Sequence, residues 1–357
     1  MSIERVKEIA NAVLYEGYLL YPYRHSAIKN RSRWTFGVVY PREHSEASGG
    51  LEPWTMQTEC LLTGSAATSL AIHMRCLHLL VRRMEQAASS PPAQGAESEL
   101  DPMRLAHRLA SETSEEGVER EISVSDFALG DLLAHPRSLS IEFPGGRTVE
   151  ESASDHDQAV RIVREQQPVS GSVVIAAERL RDLADQPDTA LFKLSIRIEN
   201  TTPYDAMIAS QHNVALLQSF VATHTIMQVQ QGAFVSLLDP PADLKADAER
   251  CSNVRTWPVL VGEEGETDWM LSSPIILYDY PQIAPESPGD LFDGTEIDEL
   301  LTLRIMTLTD EEKQEMRQAD ERARQILDRT EALTSEQFMQ LHGTIRSLRP
   351  LDQGAEK

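Results

Sequence analysis

Residues 191–199, LFKLSIRIE, decide how this chain is interpreted, because apolar and polar side chains alternate from Phe192 to Glu199. The apolar side chains share one side of the stretch: Phe192, Leu194, Ile196 and Ile198. A period of two is that of an extended strand, whose successive side chains point to opposite faces of a sheet. The stretch therefore predicts a half-buried strand of an antiparallel sheet.

The same alternation recurs on both sides of this strand. It predicts further strands at 54–62, at 172–177 and at 33–40, where Pro41 closes the stretch. Residues 223–229 and 234–238 flank Gln-Gln-Gly-Ala and predict a hairpin in which Gly232 takes a positive φ. Residues 70–82 alternate as in a strand but also fit one helical face, so we favour a strand and leave the helix open.

Helical patterns lie at the two ends of the chain. Residues 2–16 carry apolar side chains at helical spacing behind Ser2, a possible cap. Residues 286–357 begin as a proline-led connector and continue into helices, two of which open with capping boxes, Thr309 with Glu312 and Thr334 with Gln337. These residues predict a C-terminal helical extension.

Between the ends, the β-rich sequence is interrupted once. Residues 1–85 combine the first helix with a β-rich part, and 118–285 form a second, β-rich α+β part. Residues 86–117 lose the apolar pattern and predict a disordered linker or insertion. We therefore predict an α+β fold with a β-rich antiparallel body, sandwich-like or of mixed sheets, and the helical extension behind it.

The charge balance excludes two classes of partner. The 357 residues include 33 Lys and Arg against 56 Asp and Glu, a net charge of −23. Such a chain repels phosphate backbones and anionic lipid surfaces, so no nucleic-acid partner is expected. Apolar runs are too short to span a bilayer, so membrane insertion is not expected either. Three cysteines without CxxC spacing and the lack of a signal-peptide pattern favour a cytoplasmic location.

One segment opposes this acidic background. Residues 1–43 hold seven Lys and Arg against four acids, a net charge of +3. Guanidinium groups interleaved with aromatic rings suit a phosphate, a carboxylate or an acidic partner segment, although pairing with the chain's own acidic surface explains them too. The candidate partner- or anion-binding residues here are Tyr21, Tyr23, Arg24, His25, Lys29, Arg31, Arg33 and Trp34.

A second candidate segment lies near the end of the β-rich part. Tyr278, Asp279 and Tyr280 lead into a proline-rich, acidic stretch whose carboxylates do not follow EF-hand spacing. The stretch is interpreted either as a solvated helical face or as a docking arm for a basic partner.

A metal site is the weaker interpretation of Cys60, Cys76 and His78. Cys76 and His78 share one face of a strand, and Cys60 could join them from a neighbouring strand as a soft ligand. The same face carries Leu70, Ile72 and other apolar residues, so we favour buried thiols and a hydrogen-bonded histidine.

The sequence lacks the common catalytic signatures. It contains no GxGxxG, GxxxxGK[ST], HExxH, GxSxG or paired CxxC pattern. We therefore expect no cofactor and, on balance, no enzyme, although catalytic groups need only meet in space.

Three segments carry a resemblance to known proteins: VLYEGYLLYPYRHSAIKNRSRWTFGVVYPR (13–42), THTIMQVQQGAFVSLLDPP (223–241) and SSPIILYDYPQIAPESPGDLFDGTEIDELLTLRIMTLTDEEK (272–313). They resemble uncharacterised accessory proteins encoded with oxygen-tolerant, actinobacterial-type [NiFe] hydrogenases. The resemblance implies a non-enzymatic, cytoplasmic role in hydrogenase assembly or maturation, with a hydrogenase subunit or another maturation factor as protein partner. It assigns no role to any residue.

The alternative is a small-molecule enzyme or binding protein. Its pocket would gather Tyr23, Arg24, His25 and Arg31 or Arg33, with Tyr278 and Asp279, around a small anion. Convergence of these groups in a concave cleft would favour it over the assembly role.

Overall fold

The computed structural model describes residues 3–14, 34, 36–86, 113–153, 159–183, 188–205 and 212–282, and positions 305–310, 313, 314, 317, 324, 327, 328 and 330–332. The chain divides into two compact units, residues 1–281 and 282–357. The division falls close to the predicted boundary at 285. Most of the predicted C-terminal helical extension lies outside the described residues and stays a prediction.

Antiparallel strands dominate the first unit, which confirms the predicted β-rich antiparallel body. The strands are β1 Thr55–Gln86, β2 Thr113–Ala128, β3 Arg137–Phe143, β4 Gly146–Ala153, β5 Ala159–Gln166, β6 Val169–Asp182, β7 Ala190–Asn200, β8 Val221–Val235, β9 Trp257–Leu260 and β10 Trp269–Ser273. The described helices are α1 Ile3–Leu14, α2 Arg42–Ala47, α3 Leu129–Ala134, α4 His212–Leu216 and α5 Lys245–Ala248. None of the helices among the described residues has the length and apolar character needed to cross a membrane.

A single sheet contains all ten strands. Its main path runs β3-β6-β7-β1-β8-β10-β9; β2 and β5 also pair with β1, and β4 pairs with β5. The 32-residue β1 is the common element, since its first part pairs with β7 and its last part with β2 and β5. The two β-rich parts seen in the sequence are thus joined within one sheet.

Alternating burial explains why these residues form strands. In β7 the alternating residues Phe192, Leu194, Ile196 and Ile198 are buried, and they belong to one core cluster with Leu62 and Ile175 from the neighbouring strands. Removing such side chains from water contributes about 1.5–3 kcal/mol each. Residues 70–82 lie in β1, so the strand interpretation is confirmed and the helix is wrong.

Three further sequence predictions, for the N-terminal helix, for a strand at 33–40 and for an insertion at 86–117, can be compared with the structure. The N-terminal helix is confirmed as α1. The strand predicted at 33–40 is wrong, because the described residues there form no regular strand: Val39 makes an isolated bridge with Phe220, and the carbonyl oxygens of Phe36 and Gly37 accept from the start of β8. Residues 113–117, assigned from sequence to the insertion, belong to β2. Gln86 ends β1, and residues 87–112, the rest of the predicted insertion, lie outside the described residues.

The hairpin predicted at 230–233 is also wrong, since β8 runs through it as one strand. Gln231 takes the positive φ of 59°, and an added Cβ on Gly232 would lie 2.7 Å from the carbonyl oxygen of Thr63. The Thr68 hydroxyl accepts from Ser65 N at 2.9 Å and donates to the carbonyl oxygen of Gln231 at 2.7 Å. The glycine therefore serves close approach of β8 to β1, where their register shifts, rather than a chain reversal.

Candidate functional site

Most of the basic candidate segment at 21–34 lies outside the residues that the structure describes. Tyr21, Tyr23, Arg24, His25, Lys29, Arg31 and Arg33 lie outside the described residues. Trp34 is described and buried, and its Cη2 lies 3.4 Å from where a Cβ on Gly117 would stand. Its indole thus packs over β2, where it supports the sheet and is not exposed to a partner.

The second candidate segment comes after β10 in the chain and lies beside the edge strand β9. Asp279 Oδ1 accepts from the backbone N–H of Leu260 at 2.8 Å, and Oδ2 accepts from the Ser236 hydroxyl at 2.5 Å. The backbone N–H of Tyr280 donates to the carbonyl oxygen of Leu260 at 2.8 Å. The predicted partner-binding carboxylate of Asp279 is therefore used internally, as an anchor that fixes this segment to β9.

Tyr280 adopts a strained backbone conformation in this segment. Its φ of 58° is left-handed, which costs a non-glycine residue about 1–2 kcal/mol. Its half-buried ring packs against the main core, and its backbone bond to Leu260 helps offset the strain. Of the predicted binding residues that the structure describes, Tyr278 is the one with an exposed side chain.

The segments that the Asp279 anchor connects carry exposed apolar side chains. Tyr278 is 86% exposed and Ile276 is 73% exposed, while Ile275 and Leu277 alternate with them and pack against the cluster beneath α1. Trp257 stands opposite Ser273 in the ladder, and the N–H of Leu238 donates to the same Ser236 hydroxyl that binds Asp279. We call the four exposed residues Trp257, Ile276, Tyr278 and Leu238 the β9-edge patch.

The environment of this patch is acidic. The turn after β9 carries Glu263, Glu264 and Glu266, the first of which pairs with Arg5 at 2.7 Å. An apolar surface with tyrosine and tryptophan beside excess carboxylates suits a partner surface that is apolar with basic neighbours.

The metal interpretation of Cys60, Cys76 and His78 is wrong for the arrangement that the structure shows. Among the described residues, the ligand atoms of these three do not lie close enough together to share a metal ion. Both thiols belong to the main core, and burial raises the pKa of Cys76 to about 12. His78 is buried, and its Nε2 lies 2.7 Å from the carbonyl oxygen of Gln167. Buried thiols and a hydrogen-bonded histidine are what the structure contains.

A different group of ligand-type residues does converge. His44 Nε2 lies 2.6 Å from Oε2 of Glu52, and His212 Nδ1 lies 2.6 Å from Oε1 of the same carboxylate. One ligand atom from each of the three residues falls within 4.8 Å of the others. Within the described part of the chain, this is the one cluster of three such groups close enough to share a metal ion. We call it the His-Glu-His cluster.

Backbone pairing brings the cluster together across 160 residues. Val39 and Phe220 exchange backbone hydrogen bonds of 2.8 and 3.2 Å, which place α4 beside the start of α2. The side-chain amide of Asn200 donates to the carbonyl oxygens of both Val39 and Gln218 at 2.9 Å. Tyr40 N donates to the carbonyl oxygen of Pro53, which folds Glu52 back toward His44.

Aromatic rings enclose the cluster. The Tyr40 ring centroid lies 5.1 Å from that of His44 and 5.7 Å from that of His212, and Tyr204 meets His44 edge-on at 6.1 Å. Burial and the neighbouring Glu52 carboxylate raise the pKa of Tyr40, so its hydroxyl stays protonated. The phenol ring thus packs beside both imidazoles that face the carboxylate.

Sequence reasoning missed this cluster for a physical reason. His44 and Glu52 have no spacing typical of a metal motif, and His212 arrives through the Val39–Phe220 bridge, which no local pattern announces. The usable signal was the short helix REHSEA with a histidine among charged residues, and by itself it is weak.

A cavity of about 640 Å³ provides no support for the anion-pocket alternative. It lies where the β3–β4 and β5–β6 connections meet 202–203, and its walls include Glu142, Phe143 and Pro168 but no Arg, Lys or His. Most residues of the proposed anion pocket lie outside the described residues, so that alternative stays a prediction.

Comparisons with models of known protein families and with curated proteins find no match to this chain.

Proposed function

We propose that this protein is a non-enzymatic accessory factor for a [NiFe] hydrogenase that acts in the cytoplasm by binding a protein partner. Its partner is a hydrogenase subunit or another maturation factor. The resemblance of residues 13–42, 223–241 and 272–313 to hydrogenase-associated accessory proteins supports the choice of partner. The β9-edge patch supports the mode of action and lies partly within the last of these segments.

The observation that carries the proposal is the exposure of Tyr278 and Ile276 on an anchored backbone. Both side chains are exposed to solvent, although their backbone is fixed by the hydrogen bonds of Asp279 and Tyr280 to β9. A segment that is ordered before binding loses little conformational freedom on association. Tyrosine and tryptophan are enriched among the residues that contribute most to protein interfaces. This combination favours a docking surface.

The acidic background indicates what the partner presents. A net charge of −23 favours a partner with a basic rim around an apolar contact, and it speeds their encounter. Salt should slow this encounter more than it weakens the apolar contact itself.

Copurification tests the proposal. The full-length tagged protein is coexpressed with the subunits and maturation factors of the hydrogenase, and the captured proteins are quantified. The double variant I276S/Y278S should recover at least about tenfold less partner, since two central interface residues at 1 kcal/mol or more each give that factor. V149S is the matched control, because Val149 is an exposed apolar residue of β4 outside the patch.

Two results would overturn the proposal. One is equal recovery of partner with I276S/Y278S and V149S. The other is unchanged hydrogenase maturation in a strain that lacks this protein.

A further inference from the structure

The donor atoms of the His-Glu-His cluster define which ions it suits. Two imidazole nitrogens with one carboxylate oxygen are ligands for zinc and its first-row neighbours. Magnesium and calcium take oxygen ligands almost exclusively, so two histidines disfavour them. The arrangement is also unlike a surface ion pair, because one carboxylate faces two imidazoles that come from separate elements, α2 and α4.

The protein holds the ligands in place before any ion arrives. His44 is 2% exposed and is enclosed by the rings of Tyr40 and Tyr204. The Tyr40 ring lies within 5.7 Å of both imidazole rings, so it restricts how far His44 and His212 can turn away from Glu52. The Val39–Phe220 bridge and the Asn200 side chain fix the distance between α2 and α4.

Only a small movement separates the hydrogen-bonded cluster from a metal-bound one. Ligand atoms around tetrahedral zinc lie roughly 3.3 Å apart, given bonds of about 2.0–2.1 Å. The present N···O separations are 2.6 Å. His212 is 46% exposed and begins α4, so its ring can withdraw by this amount without disturbing the core.

We propose that His44, Glu52 and His212 bind one divalent transition-metal ion of the zinc class. Three protein ligands leave a fourth position, which faces solvent on the side of His212 and takes water. Such an open site exchanges its ion more readily than a closed four-ligand site. The proposal is independent of hydrogenase assembly.

Zinc binding to the full-length protein tests the proposal. The purified protein is stripped with a chelator and titrated with Zn²⁺ alone, and a parallel titration with Co²⁺ records the visible absorption that reports coordination number. One equivalent should bind, with tighter binding at higher pH because the imidazoles must be deprotonated. The variants H212A and E52Q should each bind at least about tenfold more weakly.

A matched variant separates this site from adventitious binding. His135 is exposed and lies outside the cluster, so H135A should bind zinc as the unmodified protein does. E52Q keeps the shape of the side chain, and unchanged circular dichroism would show that H212A and E52Q remain folded. Substoichiometric zinc in the unmodified protein would overturn the proposal, and so would equal affinity in H212A and H135A. I276S/Y278S should keep full zinc binding, so failure of the partner surface is distinguishable from failure of this site.

Discussion

Two buried histidines make the stability of this fold depend on pH. His224 donates from Nδ1 to the carbonyl oxygen of Ala222 at 2.9 Å, and His78 donates from Nε2 to that of Gln167. The other ring nitrogen of each is buried and has no hydrogen-bond partner among the described residues. A second proton would place charge on an atom without an acceptor. Burial accordingly lowers the pKa of His224 to about 3 and that of His78 to about 4.

The first prediction is a loss of stability in mild acid. Because the folded pKa values lie below the usual 6.5, the unfolded chain binds more protons as the pH falls from 6.5 toward 3 or 4. The contribution of neutral His224 is fully present above pH 6.5, and about 2 kcal/mol of it is lost by pH 5. Urea unfolding of the protein and of H224L at pH 7 and pH 5 measures this. H224L should lose less stability between the two pH values, and an equal loss would contradict the assignment.

The candidate residues show what one-dimensional patterns can and cannot predict at this scale. Exposure of Tyr278 was predictable from its place at the start of a proline-rich, acidic stretch, and burial of Cys76 from the apolar residues on its strand face. The internal role of Asp279 was not, because its two hydrogen-bond donors, the Ser236 hydroxyl and the Leu260 N–H, reach it only through the folded sheet. Charge and aromatic content mark candidates, but pairing in space decides their role.

At the scale of elements, β6 and β7 are held together by a glycine. Gly171 stands opposite Asn200, and an added Cβ would lie 2.4 Å from the carbonyl oxygen of Glu199 and 2.7 Å from Cζ of Phe220. The carbonyl belongs to the ladder, so it cannot move away without breaking strand pairing.

The second prediction follows from that contact. Gly171→Ala should lower the free energy of unfolding by about 1–3 kcal/mol, as overpacking of a fixed core does. Gly146→Ala in β4 is the control, because no atom lies within 4 Å of its added Cβ. It should stay within about ±0.5 kcal/mol of the unmodified protein. Urea midpoints for both variants check the pair, and equal midpoints would show that β6 and β7 can separate locally.

Strands were predictable where alternation is strict, as in β7, and less so where two strands bend together. At Gly64–Ser69 and Gln230–Gly232, β1 and β8 shift register against each other, and Thr68 links them. In sequence these residues are typical of a turn, because glycine and polar side chains serve bends and reversals equally. Pairing between β1 and β8, which lie about 160 residues apart in the chain, makes these residues a bend and not a reversal. Neither segment alone contains this information.

For the whole molecule, the decisive feature is that β1 belongs to both β-rich parts. It pairs with β7 and β8 through Leu62, and with β5 through Arg83, which stands opposite Val163. An interruption at 86–117 suggested separable parts from the sequence. A strand shared by both parts should instead make them unfold together, since loss of β1 removes a neighbour from four other strands.

The third prediction is therefore a single unfolding transition for the unit 1–281. All four tryptophans, at positions 34, 54, 257 and 269, lie in this unit, so their fluorescence reports on it alone. Leu62→Ala should destabilise by about 2–5 kcal/mol, and Val163→Ala by about 1–2 kcal/mol at about 0.8 kcal/mol per buried carbon. Each should move the same transition to lower urea, whereas exposed Val149→Ala should leave it in place. Two resolved transitions, each moved by only one of the core variants, would mean that β1 can be released from one side of the sheet while the other side stays folded.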